Sequence, residues 1–353
     1  MKQAGLFDLM RRYESLDAAC DPLVALGRLI PWETFRAGVL SALQAAGVRS
    51  TAATRKSAAG QRPFDEVMMF KVLVLQTLYN LSDDKTEYMI RDRLSFMRFL
   101  GLGLQDRVPD AKTIWLYRDA LAKSCAMAEL LATFDAHLTG AGYAARGGQI
   151  IDATIVPVPV DRNTKAENAA IKAGEVPQEW QEKPAKLRQK NRDARWTIKN
   201  GKSHYGYKNH ISIDRKHKLV RRYTVTNAAR HDSQELVAVL DTNNTALDIW
   251  ADSAYRSAEM QIRLARAGWR SHINRQGRRG HALTLCEEAA NTTRSRVRAR
   301  VEHVFGDMVT TMGSKLVRLI GMARVSAKIG MQNLTYNMRR FIWLQRGSQT
   351  ATA

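Results

Sequence analysis

The sequence predicts an all-α region followed by an α/β domain with a mixed five-stranded sheet. Three observations lead there. Up to about residue 140, apolar side chains recur at helical spacing behind capping residues. Gly140, Gly142, Gly147 and Gly148 then interrupt that pattern. Beyond them come β-branched and alternating runs separated by turn or helix signals.

Residues 1–50 read as helical with a turn around Pro31, and Ser50–Arg62 as a linker rich in small and basic residues. Pro63 stands before Asp65-Glu66, acids suited to a helix N-terminus. That helix carries Val67, Phe70, Val72, Leu73, Leu75 and Leu78, apolar on most faces, so it belongs in a helical domain or a dimer interface. Ser82 caps a helix over Asp83–Leu94, and Asp110 caps one from Ala111. Such a set can form a helix-turn-helix, but packing alone accounts for it.

In the second region Gln149–Val160 is a β-branched strand that ends at its prolines. A polar helix-and-loop stretch follows to about Asn200. His204–Asp214 and Lys218–Thr226 then form an antiparallel hairpin. Asp232, with Glu235 three positions on, opens a helix. Leu247–Asp252 is a strand, Ala258–Ala267 a helix and Trp269–Asn274 the fifth strand. Gln276–Arg279 is a basic, glycine-containing loop, and helices around Arg294–Met312 and Ser326–Leu344 complete the chain. The order β-β-β-α-β-α-β-α is that of the ribonuclease H-like fold, shared by retroviral-integrase-like catalytic domains.

Charge narrows the function. Fifty-five Lys and Arg face 34 Asp and Glu, a surplus of 21 positive charges that points to a nucleic-acid partner. Cys20, Cys125 and Cys286 stand far apart, which excludes a disulfide framework and argues against zinc. The first thirty residues are too charged for a secretory segment, and no apolar run of ~18 residues could span a bilayer. A cytoplasmic location and no membrane association are expected.

Asp is depleted in strands, where its charge is expensive to bury. Asp152 nevertheless sits inside Ile150–Val156, and Asp252 ends Leu247–Asp252. Each alone could be a strand-end residue bonded to loop backbone. With an acid on a nearby helix the pattern changes meaning. Glu302 flanks the apolar stripe Val297, Val301, Val304 and Met308, with Arg298 one turn earlier on the same side. Three carboxylates with open positions suit Mg2+, a hard cation that keeps several waters. Two such ions ~3.5–4 Å apart can activate a water or 3′-hydroxyl and stabilise the leaving oxygen, with no nucleophilic side chain.

The local sequences resemble the bacterial insertion-sequence transposases of the Asp-Asp-Glu type, specifically the insertion-sequence-five group. The resemblance runs from about Gln61 to Arg340. It rests on Leu78–Asp83, Arg91–Leu102 and Val108–Asp110 in the helical part. In the second part it rests on Ile151–Thr154, Asp193–Trp196, Lys202–Lys208, Ala251–Arg256 and Val301–Gly306. It implies that Asp152, Asp252 and Glu302 are the catalytic, metal-holding triad, with Mg2+, or Mn2+ in its place, in two positions. The related signature of Tyr, two residues, Arg, three residues, Glu, six residues, Lys is matched by Arg298 and Glu302. Ser295 and Val309 replace its Tyr and Lys, and Lys315 or Arg318 is the available substitute for the Lys.

Between Lys183 and Arg222, 14 Lys and Arg face two Asp, with Trp196, Tyr205 and Tyr207 interleaved. Cations hold phosphates, and aromatic faces stack on unpaired bases; alternate tyrosines on a strand equally pack on the sheet. The residues expected to contact DNA are Arg195, Trp196, Lys199, Lys202, Tyr205, Lys208, Arg256, Arg275, Arg298 and Lys315. His303 is either a general acid or a structural or DNA-facing side chain, and His231 belongs to a helix cap.

The expected organisation is a helical segment and basic linker (1–60), a helical DNA-binding or dimerisation domain (61–140), a catalytic domain (149–344) with a basic insertion (162–203), and a flexible tail (345–353). The expected activity is binding of the element's terminal inverted repeats, metal-activated cleavage, and transfer of the 3′-hydroxyl ends to target DNA. The expected assembly is a homodimer on double-stranded DNA at the bacterial nucleoid. The rivals are a structure-selective nuclease on the same fold and a non-catalytic, transposase-derived regulator.

Overall fold

In the computed structural model, residues 7–48, 62–161, 163–199, 201–277, 280–313 and 316–350 are described. The chain divides into two units, Met1–Ala144 with Gly330–Ala353, and Ala145–Ile329. Helices α1 (Asp8–Ala18), α2 (Pro22–Leu29), α3 (Arg36–Ala45), α4 (Glu66–Leu78), α5 (Asp83–Asp92), α6 (Leu94–Leu100), α7 (Ala111–Lys123) and α8 (Met127–Gly140) build the first unit. The expected caps form: Asp65, Ser82 and Asp110 accept from the amides of Met68, Lys85 and Thr113. Helix α4 is buried on most faces, and its one buried acid, Glu66, is matched by Arg36 at 3.1 Å. Phe35, Phe70, Leu43, Ile114, Leu130 and Phe134 are fully buried around it. The expected linker at Ser50–Arg62 lies outside the described residues, apart from Arg62.

The second unit holds a sheet of six strands rather than the expected five: β1 (Gln149–Pro157), β2 (Arg195–Lys199), β3 (Lys202–Asp214), β4 (Val220–Asn227), β5 (Asp248–Trp250) and β6 (Arg270–Ser271). Their order is β2-β3-β1-β5-β6, with β4 also on β3. Strands β1, β2 and β4 run antiparallel to β3, while β1, β5 and β6 are mutually parallel, so the sheet is mixed. The additional strand β2 lies in the stretch expected to be helix and loop. Its apolar residues Trp196 and Ile198 are 48% and 75% exposed, the reverse of the usual burial signal. Short helices α9 (Lys165–Ala173), α10 (Gln178–Gln181) and α11 (Pro184–Gln189) precede it.

A second difference follows from a tertiary contact. The helix expected from Asp232 is only a single 3-10 turn, Asp232–Gln234, capped by His231. The Asp232 carboxylate is bonded to Lys208 of β3 at 2.8 Å and Glu235 to Arg230 at 2.8 Å, contacts that compete with a capping box. Helices α12 (Ala258–Arg266), α13 (Leu285–Met312) and α14 (Met322–Thr350) complete the order. Helix α13 starts nine residues before Arg294, behind a Thr284–Glu287 capping box. Helix α14 runs to Thr350, into the segment expected as a tail.

Side chains alternate across the pleat, which sorts the sheet's two faces. Ile151, Ile249 and Ala251 pack with Leu236, Val239, Tyr255, Leu264 and Ile273 into one core. Asp152 therefore points the other way, to the face where α13 packs on β1 and β5 with Val301, Val304 and Met308 buried. Gly148 fixes how closely β1 and β5 approach. Its φ is +87°, and an added Cβ would lie 2.6 Å from the Trp250 ring and 2.7 Å from the Asp248 carbonyl oxygen. Gly148→Ala is expected to cost ~1–3 kcal/mol from strained backbone alone, and the clash with β5 adds to it. Thermal denaturation should show a melting temperature several degrees lower; an unchanged value would mean that β5 simply slides away.

Candidate active site

Strands β1 and β5 run parallel with Gln149 opposite Ile249 and Ile150 opposite Trp250. Carried two residues further, that register sets Asp252 level with Asp152. On its other side β5 stays paired past Trp250, the Ala251 carbonyl accepting from the Asn274 main-chain amide at 3.2 Å, and the Asp252 charge acts on Asp152. Neighbouring strands lie ~4.8 Å apart, so two carboxylates share one edge of the same sheet face. Each is steadied by the amide that follows it: Ala153 N–H donates to Asp152 Oδ1 at 2.8 Å, and Ser253 N–H to Asp252 Oδ1 at 2.6 Å.

Helix α13 brings the third acid and an arginine to that edge. Arg298 donates from Nη1 to Asp152 Oδ2 at 2.7 Å and from Nη2 to Glu302 Oε1 at 3.2 Å. It therefore joins two of the three acids, which a surface pair one turn apart on a helix would not do. Burial pushes the Asp152 carboxyl above its usual range; Arg298, the Ala153 amide and Lys199 pull it back, and Asp252 pushes it up again. A carboxylate desolvated beside another carboxylate calls for positive charge, and here a guanidinium supplies it.

Among the described residues no group of three or more His, Cys, Asp and Glu is gathered closely enough to hold a metal ion. The geometry says why. Glu302 is turned toward Arg298 on a side chain 60% exposed, while Asp152 is 15% exposed on the sheet. The donor set still fits a hard divalent cation: three carboxylates, two of them in register and mutually repelling.

Residues 144–338 match the family model for the transposase DDE domain, which covers more than half of the chain. The chain belongs to the DDE transposases. Residues 11–120 match a second model, described as a transposase domain, so the helical part also belongs to a transposase. DNA is accordingly its partner, and members of the family generally act with divalent metals. No solved structure matches the chain. No described helix is long and apolar enough to cross a membrane.

The transposase distributes its expected DNA contacts unevenly. Arg195 donates to the carbonyls of Arg192, Ala194 and Ile171. Tyr205 is buried with its hydroxyl on the Asn191 carbonyl, and Lys208 donates to the Arg230 carbonyl and Asp232. These three hold the fold, and their polar groups are engaged before any strand arrives. Trp196 is exposed and tilted against Tyr205, while Lys199 and Lys202 are exposed. Arg256 donates to the Ile273 carbonyl at 3.1 Å, and Arg275 pairs with Glu287. Lys315 lies outside the described residues. At the two departures from the family signature, the Ser295 hydroxyl accepts from the Asn274 side-chain amide, Nδ2, at 3.0 Å and Val309 is exposed. His303 is exposed on α13, and His231 caps its turn.

Next to Asp252 an open cleft of about 830 Å³ is lined by Ser253, Arg256, Gln261, Arg275, His281 and Glu287, among others. Gln261 and His281 carry no sequence signal of their own, since only folding brings α12 together with the loop before α13. Tyr255, inside the Ala251–Arg256 motif, is buried with its hydroxyl unpaired, and burial followed by the charges of Asp152, Asp232 and Asp252 raises its pKa well above the ordinary value.

Proposed function

We propose that this transposase cuts DNA at the ends of its own element and joins the freed 3′-hydroxyls to target DNA, with Asp152, Asp252 and Glu302 as metal-holding residues. The observation that carries the reading is the parallel register of β1 and β5, which carried two residues on sets Asp252 beside Asp152, on strands packed against a helix that bears Glu302. When bound, Mg2+ or Mn2+ at one or two positions would activate the attacking oxygen and stabilise the leaving one. Asp152 is held by the sheet and by the Ala153 amide, so it offers a fixed oxygen, whereas Glu302 swings in from the helix. Arg298 neutralises these acids and lies within reach of a phosphate placed between them.

The order β4-β3-β1-β5-β6, three antiparallel strands followed by two parallel ones, supports a ribonuclease H-like fold, and the quoted motifs support the bacterial insertion-sequence-five group. Exposed Trp196, Lys199 and Lys202, together with Arg256, Arg275 and Arg298, are proposed to hold the strands. The two ends would be paired by a homodimer at the bacterial nucleoid. The test uses purified protein, Mg2+, a duplex carrying the inverted repeat that flanks the coding region, and a supercoiled target. Nicks exposing 3′-hydroxyls, followed by end-to-target joints, are expected. Nicks without joints would replace the reading with a structure-selective nuclease.

A further inference from the structure

We propose that the cleft beside Asp252 is a second, separate DNA site, a seat for a backbone phosphate one or two nucleotides away from the scissile one. The inference rests on the placement of the scissile phosphate at Asp252 and adds to it a ligand for side chains outside the acidic triad.

Position is the first argument. Ser253, the residue after Asp252, lines the cleft, and its amide is the one bonded to Asp252. A strand held at Asp252 has its next nucleotide at the mouth. Size is the second. About 830 Å³ lies within the ~300–1,000 Å³ of small-ligand sites, room for one or two nucleotides and too little for a duplex.

Charge is the third and strongest argument. Arg256 and Arg275 both line the cleft. Burial lowers the Arg256 pKa, and the charges of Arg275 and Arg294 lower it further, with only Glu287 acting in the opposite direction. Glu287 is already engaged by Arg275 and by the Thr284 amide and hydroxyl in its capping box. Arg256 bonds only to a carbonyl, that of Ile273, and no carboxylate pairs with it among the described residues. With Glu287 taken up by Arg275 and its capping box, Arg256 stands in the concavity without a carboxylate of its own, which favours an anion from outside, and a guanidinium matches a phosphodiester in both charge and planar geometry. Gln261 adds a donor, because its side-chain nitrogen faces no acceptor although it is shielded from water. A phosphate carries no sequence information, so a seat that holds the backbone alone is indifferent to sequence.

Binding tests the seat without requiring catalysis. The probe is a six-residue oligothymidylate titrated over a range of salt without metal, so the outcome is independent of whether the three acids cut. Losing one phosphate contact should flatten the log–log salt slope by ~0.7 on single-stranded DNA. Arg256→Gln is expected to show that change, with about tenfold weaker binding at low salt. Gln261→Leu, which only removes an unpaired donor and should fold well, is expected to weaken binding several-fold with the slope unchanged. Unaltered affinity in a folded Arg256→Gln protein, or in Gln261→Leu should the first not fold, overturns the proposal. Two further duplexes identify the strand. Loss confined to an end that still carries flanking nucleotides assigns the seat to the flank, and equal loss on a precut end assigns it to another strand, such as the target. No loss on either duplex overturns the seat. Cleavage of unmodified ends by the wild type, followed in parallel, judges the catalytic reading on its own.

Discussion

Asp252→Asn is expected to abolish cleavage while leaving folding and DNA binding in place, and Asp152→Asn and Glu302→Gln are expected to do the same. Each change keeps shape and removes one ligand charge. A ligand set that stabilises transition-state charge contributes several kcal/mol, so the rate should fall by about a thousandfold or more at ~1.4 kcal/mol per factor of ten. The structure adds a distinction among the three. Asp152 is buried beside Asp252, and burial raises its pKa. Without metal its charge is therefore a burden to the fold, and Asp152→Asn should melt no lower than the wild type. Divalent metal should raise the melting temperature of the wild type, because a ligand that binds the folded state stabilises it. In Asp152→Asn that rise should shrink or vanish. Cleavage in Mg2+ and melting with and without metal are the two measurements. Near wild-type cutting by any of the three variants would remove that residue from the triad.

Much of this site was legible because strand chemistry is restrictive. An Asp within Ile150–Val156 and another ending Leu247–Asp252 are unusual enough to be found without a structure, and their common register is what makes them a pair. Helix starts were legible for a similar reason: Asp65, Ser82 and Asp110 each satisfy an amide three residues on, a purely local bond. Strand β2 was missed although Trp196 and Ile198 alternate with polar residues, because five residues set in a basic, polar stretch are a weak signal for a strand. The turn at Asp232 was misread because Lys208, 24 residues earlier, claims the carboxylate that a helix cap would need. Lys208 and Arg195, expected among the DNA contacts, also make long-range bonds that no local pattern announces, to Asp232 and to the Ile171 carbonyl. Local rules find local bonds. The Thr284–Glu287 capping box shows the converse, a local signal present in the sequence that places the start of α13 well before Arg294.

Arg298→Lys is expected to fold normally, to bind ends within a few-fold of the wild type, and to cut and join about a hundredfold more slowly. Two descriptions of Arg298 compete. An exposed pair with Glu302 one turn away would be worth well under ~1 kcal/mol, and its loss would pass unnoticed. The geometry argues against that. The side chain is 23% exposed, and its two terminal nitrogens reach Asp152 at 2.7 Å and Glu302 at 3.2 Å, joining sheet to helix. Lysine keeps the charge but has one nitrogen where guanidinium has a fork, so it can serve one partner while leaving the other unheld. If the fork passes from the acids to the scissile phosphate, the same loss misplaces that phosphate, and an error of ~1 Å can cost on the order of a hundredfold in rate. Arg298→Ala removes the charge as well, leaving Asp152 buried beside Asp252 with less to offset it, so it should cut more slowly still and lose some stability. The order wild type, then Lys, then Ala in strand-transfer rate, with DNA affinity changing far less, is the pattern to measure. Equal rates for wild type and Arg298→Lys would mean that the fork is not used, and that charge alone keeps the two acids in place.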